Sequence, residues 1–195
     1  MLAPELLREG LLADLCVLVA GATEADAHFS PAVSEACAEL GARVHTCGFD
    51  TTEEAVVDEI ITAAVAELGS LDLLVLDSAS LFDDGARSAL RTCLDTTWNV
   101  TRAVVNRAFL PAGRAGRIVY VAPAPDAGEQ ADAARAGLEN LSRTLSIEWA
   151  RYGITTVTIA PGQATTTGEV AALTAYLASP AGAYFSGCLF DLRGP

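Results

Sequence analysis

Basic residues are scarce in this 195-residue chain: 12 Lys and Arg stand against 25 Asp and Glu, for a formal net charge of -13. A surface of that sign repels phosphate backbones and anionic bilayers, which argues against nucleic acid and membranes as partners. Histidine is scarcer still, with His28 and His45 alone, too few for a His-rich metal site. The five cysteines are an odd number, lie far apart at 16, 37, 47, 93 and 188, and form no CxxC pair. Neither a zinc site nor a disulfide framework is expected from them. Reduced, mostly buried thiols fit a cytoplasmic setting. No apolar run reaches the length of a membrane span. The opening MLAPELLREGLLAD lacks a basic start followed by an apolar core, so no secretory signal is expected. Internal repeats, low-complexity stretches and linkers are also lacking, and residues 1–195 read as one domain.

What the chain does have is apolar content. Hydrophobic residues make up 51% and charged residues 19%, the balance of a folded chain with a large core. Short apolar runs alternate with amphipathic ones. LCVLVAG (15–21) reads as a buried strand and SPAVSEACAELG (30–41) as a helix with Ser and Pro at its start and Gly at its stop. ARVHTCGFD (42–50) is a second strand, and TTEEAVVDEIITAAVAELG (51–69) a helix with capping residues at both ends. Further strands are expected at 71–79, 116–122, 154–162 and 187–192, and further helices at 84–110, 131–151 and 168–179. Strands and helices in strict alternation imply a parallel sheet covered on both faces, a doubly wound α/β domain of about six strands.

Two helices carry more apolar surface than one sheet covers. In the helix at 84–110, Leu90, Leu94, Thr97, Thr101, Val104 and Ala108 make one stripe, and Trp98, Val105 and Phe109 a second. The helix at 131–151 has Ala134, Leu138, Leu141, Leu145 and Trp149 on one face. The alternatives are a wide core face or a subunit interface.

Several strings, GARV, AELGSLDLLV, GRIVYVA, ARAGLENLSRTLSIEWARYGITTVTIAPG and GEVAALTAYLASPAGAYFSGCLFDLRGP, resemble the short-chain dehydrogenase/reductase family. The resemblance covers nearly the whole chain. It implies a Rossmann-like fold, NAD(P) binding and carbonyl/alcohol redox chemistry. It also shows what is replaced. Of the family's TGxxxGxG phosphate loop, AGATEADAHFSPA keeps Gly21; Ala25 and Ala27 fall near the other glycine positions, and Glu24 and Asp26 bring carboxylates where phosphates would sit. GARVHTCGFDTTEE runs through a region where the family inserts a helix and an outer strand. Asp50 resembles the residue that contacts adenine, with capping of the next helix as its structural alternative. LDSA (76–79) takes the place of NNAG. Ala122 and Pro123 stand where the catalytic Ser belongs, Ala131 replaces the Tyr that serves as general acid and base, and Arg135 replaces the Lys. Asn99 matches the Asn that supports the proton relay, or is a helix-bend residue. Tyr120 and Asp132 lie nearby in sequence. QATTT is all that remains of the substrate lid.

These losses point to a pseudoenzyme: no catalytic residues, no cofactor, and a role as a structural or regulatory subunit of a homo-oligomer, or of a hetero-oligomer with an active short-chain dehydrogenase. In the family the two long helices pair across a dimer axis. Two alternatives stay open. One is an NAD- or NADP-dependent oxidoreductase with displaced catalytic residues. The other is a lyase like the halohydrin dehalogenases, which resemble the family, have lost the nucleotide site and use Ser, Tyr and Arg.

Overall fold

The computed structural model describes residues 7–23, 28–82 and 88–194. Its centre is one six-stranded sheet, all parallel, in the order β2-β1-β3-β4-β5-β6. The strands are β1 (Cys16–Ala22), β2 (Arg43–Phe49), β3 (Leu73–Asp77), β4 (Arg117–Val121), β5 (Thr155–Pro161) and β6 (Cys188–Leu192). The connecting helices are α1 (Ser30–Glu39), α2 (Glu54–Leu68), α3 (Ala89–Val104), α4 (Ala131–Glu148) and α5 (Thr167–Ala178). The expected Rossmann-like α/β architecture is what forms, and the sheet ends at β2 on one side.

Parallel strands are buried on both faces, so their side chains feed two cores. Val17, Val19, Val75, Val121 and Ile159 point to the face covered by α1 and α5. Leu18, Leu74, Leu76 and Ile118 point to the other, beneath α2 and α3. On that second face β5 carries threonines in place of aliphatics. Thr156 and Thr158 are fully buried, and their hydroxyls donate to the carbonyls of Ser142 and Leu138 in α4. A buried hydroxyl needs such a partner, so these two bonds fix the seat of α4 on the sheet. At the far end of the sheet Arg117 donates to the last carbonyls of α5, those of Leu177, Ala178 and Ser179, where a cation also meets the negative end of the helix dipole.

The expected helix at 84–110 needs correction. It begins at Ala89 among the described residues, residues 84–87 lying outside them, and it is not uniform: after Val104 it widens into a π-helical turn, Val105–Phe109, and closes with Leu110–Ala112. The stripe assignment shifts with it. Cys93, Thr97, Val100 and Val104 are buried, whereas Leu90 and Leu94 are only partly buried and pack on a smaller cluster under α4. There a Cβ on Gly137 would come within 2.9 Å of Leu94, so the glycine lets the two helices close up. Of the second stripe, Val105 and Phe109 are buried and Trp98 is 41% exposed. The helix expected to run to 151 stops at Glu148 and passes into a 3-10 turn, Ala150–Tyr152.

Candidate functional site

In an open α/β sheet, ligands are bound beyond the carboxyl ends of the strands. At that edge this chain brings together Gly21 from β1, Asp77 from β3, Ala122 and Pro123 after β4, Pro161 from β5, and Ala131 and Arg135 from the first turns of α4. Glu24, Ala25, Asp26 and Ala27 lie outside the described residues.

Asp77 is the hub of the nucleotide side. It is 1% exposed. Its Oδ2 accepts from the backbone N–H of Phe29 (2.8 Å), the backbone N–H of Ser30 (2.9 Å) and the Ser30 hydroxyl (3.0 Å). Its Oδ1 accepts from Ser80 N–H (3.2 Å). The Ser80 hydroxyl donates to the Asp77 carbonyl and accepts from Ala22 N–H. Burial pushes the carboxyl above its usual range, while these donors pull it back.

A helix N-terminus leaves four N–H groups without intrahelical partners. In α1 these belong to Phe29, Ser30, Pro31 and Ala32. Two bond to Asp77, proline has none, and only that of Ala32 is left over. The anion site that a Rossmann-like fold offers at this position is filled by the protein's own carboxylate. Gly21 remains because Ser80 and Asp77 press on it: a Cβ there would sit 2.7 Å from the Ser80 hydroxyl and 3.2 Å from Asp77 Cβ. A groove of about 490 Å³ lies beside it, between α1 and the ends of β1 and β2, and among the described residues no charged side chain lines it. Asp50 is exposed just past β2. It does not cap α2: the N-cap is Glu53, with no side-chain bond, and Thr51 accepts from the Glu53 N–H.

The positions aligned with the family's catalytic residues lie in core. Ala122 and Ala131 are fully buried and belong to one apolar cluster with Phe82, Ala89, Cys93, Ala134, Leu138 and Ala160. Arg135 is 7% exposed. Its Nη1 donates to the carbonyls of Pro123 and Pro161, both at 2.7 Å, and its Nη2 lies 3.7 Å from Asp191 of β6. One guanidinium thus ties α4 to the ends of β4, β5 and β6. Burial and the nearby Arg193 weaken its hold on its proton, Asp191 and Asp132 oppose this, and a guanidinium stays charged throughout.

The other candidates face elsewhere. Asn99 donates to the Thr52 carbonyl (3.0 Å) and so anchors the β2–α2 connection; the helix irregularity lies beyond it, at Val105–Phe109. Tyr120 is fully buried on the α2–α3 face against Thr101 (3.2 Å), and burial raises its phenol far from any useful range. Asp132 is exposed. The lid is short here: Gly162 N–H donates to Thr165 Oγ1, which donates to the Leu192 carbonyl, and Thr166 already caps α5 in a reciprocal box with Glu169. Every basic residue apart from the two histidines is an arginine, so the chain holds no lysine to replace the missing one. The tyrosines other than Tyr120 are Tyr152, Tyr176 and Tyr184, in or beside elements that lead away from this edge. No cluster of three metal-ligating groups occurs among the described residues.

Asp191 adds a pH window. The Arg193 guanidinium and N–H lower its carboxyl from 3.8 to about 2. A lowered carboxyl stabilises the native state above its unfolded value and loses that contribution as pH falls through its folded one. The tether of β6 is therefore expected to hold down to 3.8 and to fail between there and about 2. Asp191→Asn should flatten the acid limb of a stability–pH curve over that interval; an unchanged limb would remove Asp191 from the account.

The description "short chain dehydrogenase" matches the chain over residues 4–176. Among curated proteins it is 30% identical to a hexahydroindene-carboxyl-CoA reductase of Mycobacterium tuberculosis, over 82% of this chain and 77% of that protein. It is 27% identical to a probable 2,4-dienoyl-CoA reductase of Bacillus subtilis, over 74% and 73%. The first alignment runs over 203 residues, more than this chain contains, so the relative carries segments that this chain lacks. Among solved structures, a short-chain dehydrogenase from Mycobacterium smegmatis superposes with a TM-score of 0.79 at 25% identity, over 95% of this chain and 94% of that one. A citronellol catabolism dehydrogenase of Pseudomonas aeruginosa does so at 0.77 and 23% identity, over 96% and 97%. With its parallel sheet, its two-sided helical cover and these likenesses, the chain belongs to the short-chain dehydrogenase family.

Proposed function

We propose that this family member is a non-catalytic subunit, a cytoplasmic pseudoenzyme that neither binds NAD(P) nor turns over substrate. The observation that carries the reading is the Asp77 lock. The helix end at which a dinucleotide pyrophosphate would be held has spent its N–H groups on an internal carboxylate. The residues do not fit the cofactor. The chemical side agrees. Proton transfer needs a titratable group within reach, and the described apolar cluster at the former catalytic position is alanine, leucine, cysteine and phenylalanine, braced by an arginine. Burial pushes the one thiol there, Cys93, up to about 12.

The same features weigh against the alternatives. An oxidoreductase with displaced residues needs a replacement for the lysine in a chain without any. A dehalogenase-like lyase needs the Ser and Tyr that Ala122 and Ala131 have replaced.

The subunit role is supported by apolar surface on the two long helices. Trp98 of α3 is 41% exposed and Ile147 of α4 is 77% exposed. Covering them against a second subunit, of this chain or of an active short-chain dehydrogenase, removes that surface from water. All five cysteines are free, as a reducing compartment requires, and no helix among the described residues is long and apolar enough to cross a membrane.

The test is to titrate the purified chain with NAD+, NADH, NADP+ and NADPH by calorimetry, and to record native mass spectra of the protein isolated from its own cells. No saturable binding is expected up to about 1 mM, a ceiling of about 4 kcal/mol of affinity. Micromolar dinucleotide binding, or turnover of a carbonyl or alcohol substrate, would overturn the reading. A stoichiometric short-chain dehydrogenase in the native complex would identify the partner.

A further inference from the structure

We draw no further inference here: the strongest candidate, the groove of about 490 Å³ between α1 and the ends of β1 and β2, where the Ser34 hydroxyl is buried without a partner among the described residues, carries nothing, since residues 24–27 beside it lie outside the described residues and nothing in the structure shows what fills it.

Discussion

Asp77→Ala is expected to lower the melting temperature by roughly 10 °C, the largest single loss available at the carboxyl edge of the sheet. The carboxylate accepts from three backbone N–H groups and one hydroxyl. Alanine leaves the N–H groups of Phe29, Ser30 and Ser80 without partners at buried or half-buried positions. Each buried polar group left unsatisfied costs about 1–3 kcal/mol, so the variant should lose about 3 kcal/mol or more. A domain of this size loses about 2–4 °C per kcal/mol, which gives the figure above. Asp77→Asn should fall between the two, since an amide keeps one acceptor and turns a donor toward the helix start. The informative control is inorganic phosphate. Once the internal carboxylate is gone, the freed end of α1 becomes an ordinary anion site, and a ligand that binds only the native state raises stability. Phosphate should therefore raise the melting temperature of Asp77→Ala and leave the parent protein unmoved. If both respond alike, Asp77 is not what closes the site.

That carboxylate also shows where reading the sequence stops. The strands were legible because buried parallel strands are short apolar runs closed by Gly, Asp or Pro, and LCVLVAG, GRIVYVA and ITTVTIAPG are of that kind. The element order followed, and with it the fold. The emptied positions were legible too, because a missing Tyr or Lys shows as soon as the helix is aligned. What filled them was not. LDSA reads as a broken motif, and nothing near it names Phe29 and Ser30, almost 50 residues earlier, as its partners; the sheet brings them together by placing β3 beside β1. The signal that was present is a lone Asp closing a wholly apolar strand, a carboxylate that must be satisfied once buried. Arg135 was visible as the loss of a lysine, yet its role depends on where two carbonyls lie at the ends of two other strands. Asn99 kept its identity and faces Thr52. The open edge at β2 could be read as a missing strand.

Restoring the catalytic pair is expected to destabilise the protein and restore no activity. Ala131→Tyr puts a phenol ring where the side chain is fully buried, against Phe82, Ala122, Leu138 and Ala160. Overpacking a filled core costs about 1–3 kcal/mol and sometimes more. A buried hydroxyl without a partner adds about 1–3 kcal/mol. Arg135→Lys exchanges a planar fork that holds two carbonyls at 2.7 Å for a single ammonium on a flexible stem, and loosens the joint between β4 and β5. The double variant should therefore lose about 4 kcal/mol or more, read as a drop in denaturant midpoint. Its reductase activity in the presence of NADPH should stay at background, since the Asp77 lock is untouched. The comparison separates two histories that leave the same missing residues. A site that lost only its reactive side chains keeps a cavity of the old shape and accepts the tyrosine with little cost. A site whose walls are closed rejects it, and here Ala89, Ala122, Ala131, Ala134 and Ala160 share one buried cluster while Arg135 is held by the carbonyls at the strand ends. A well-folded double variant with measurable turnover would show the cleft still present and return this chain to the catalytic members of its family.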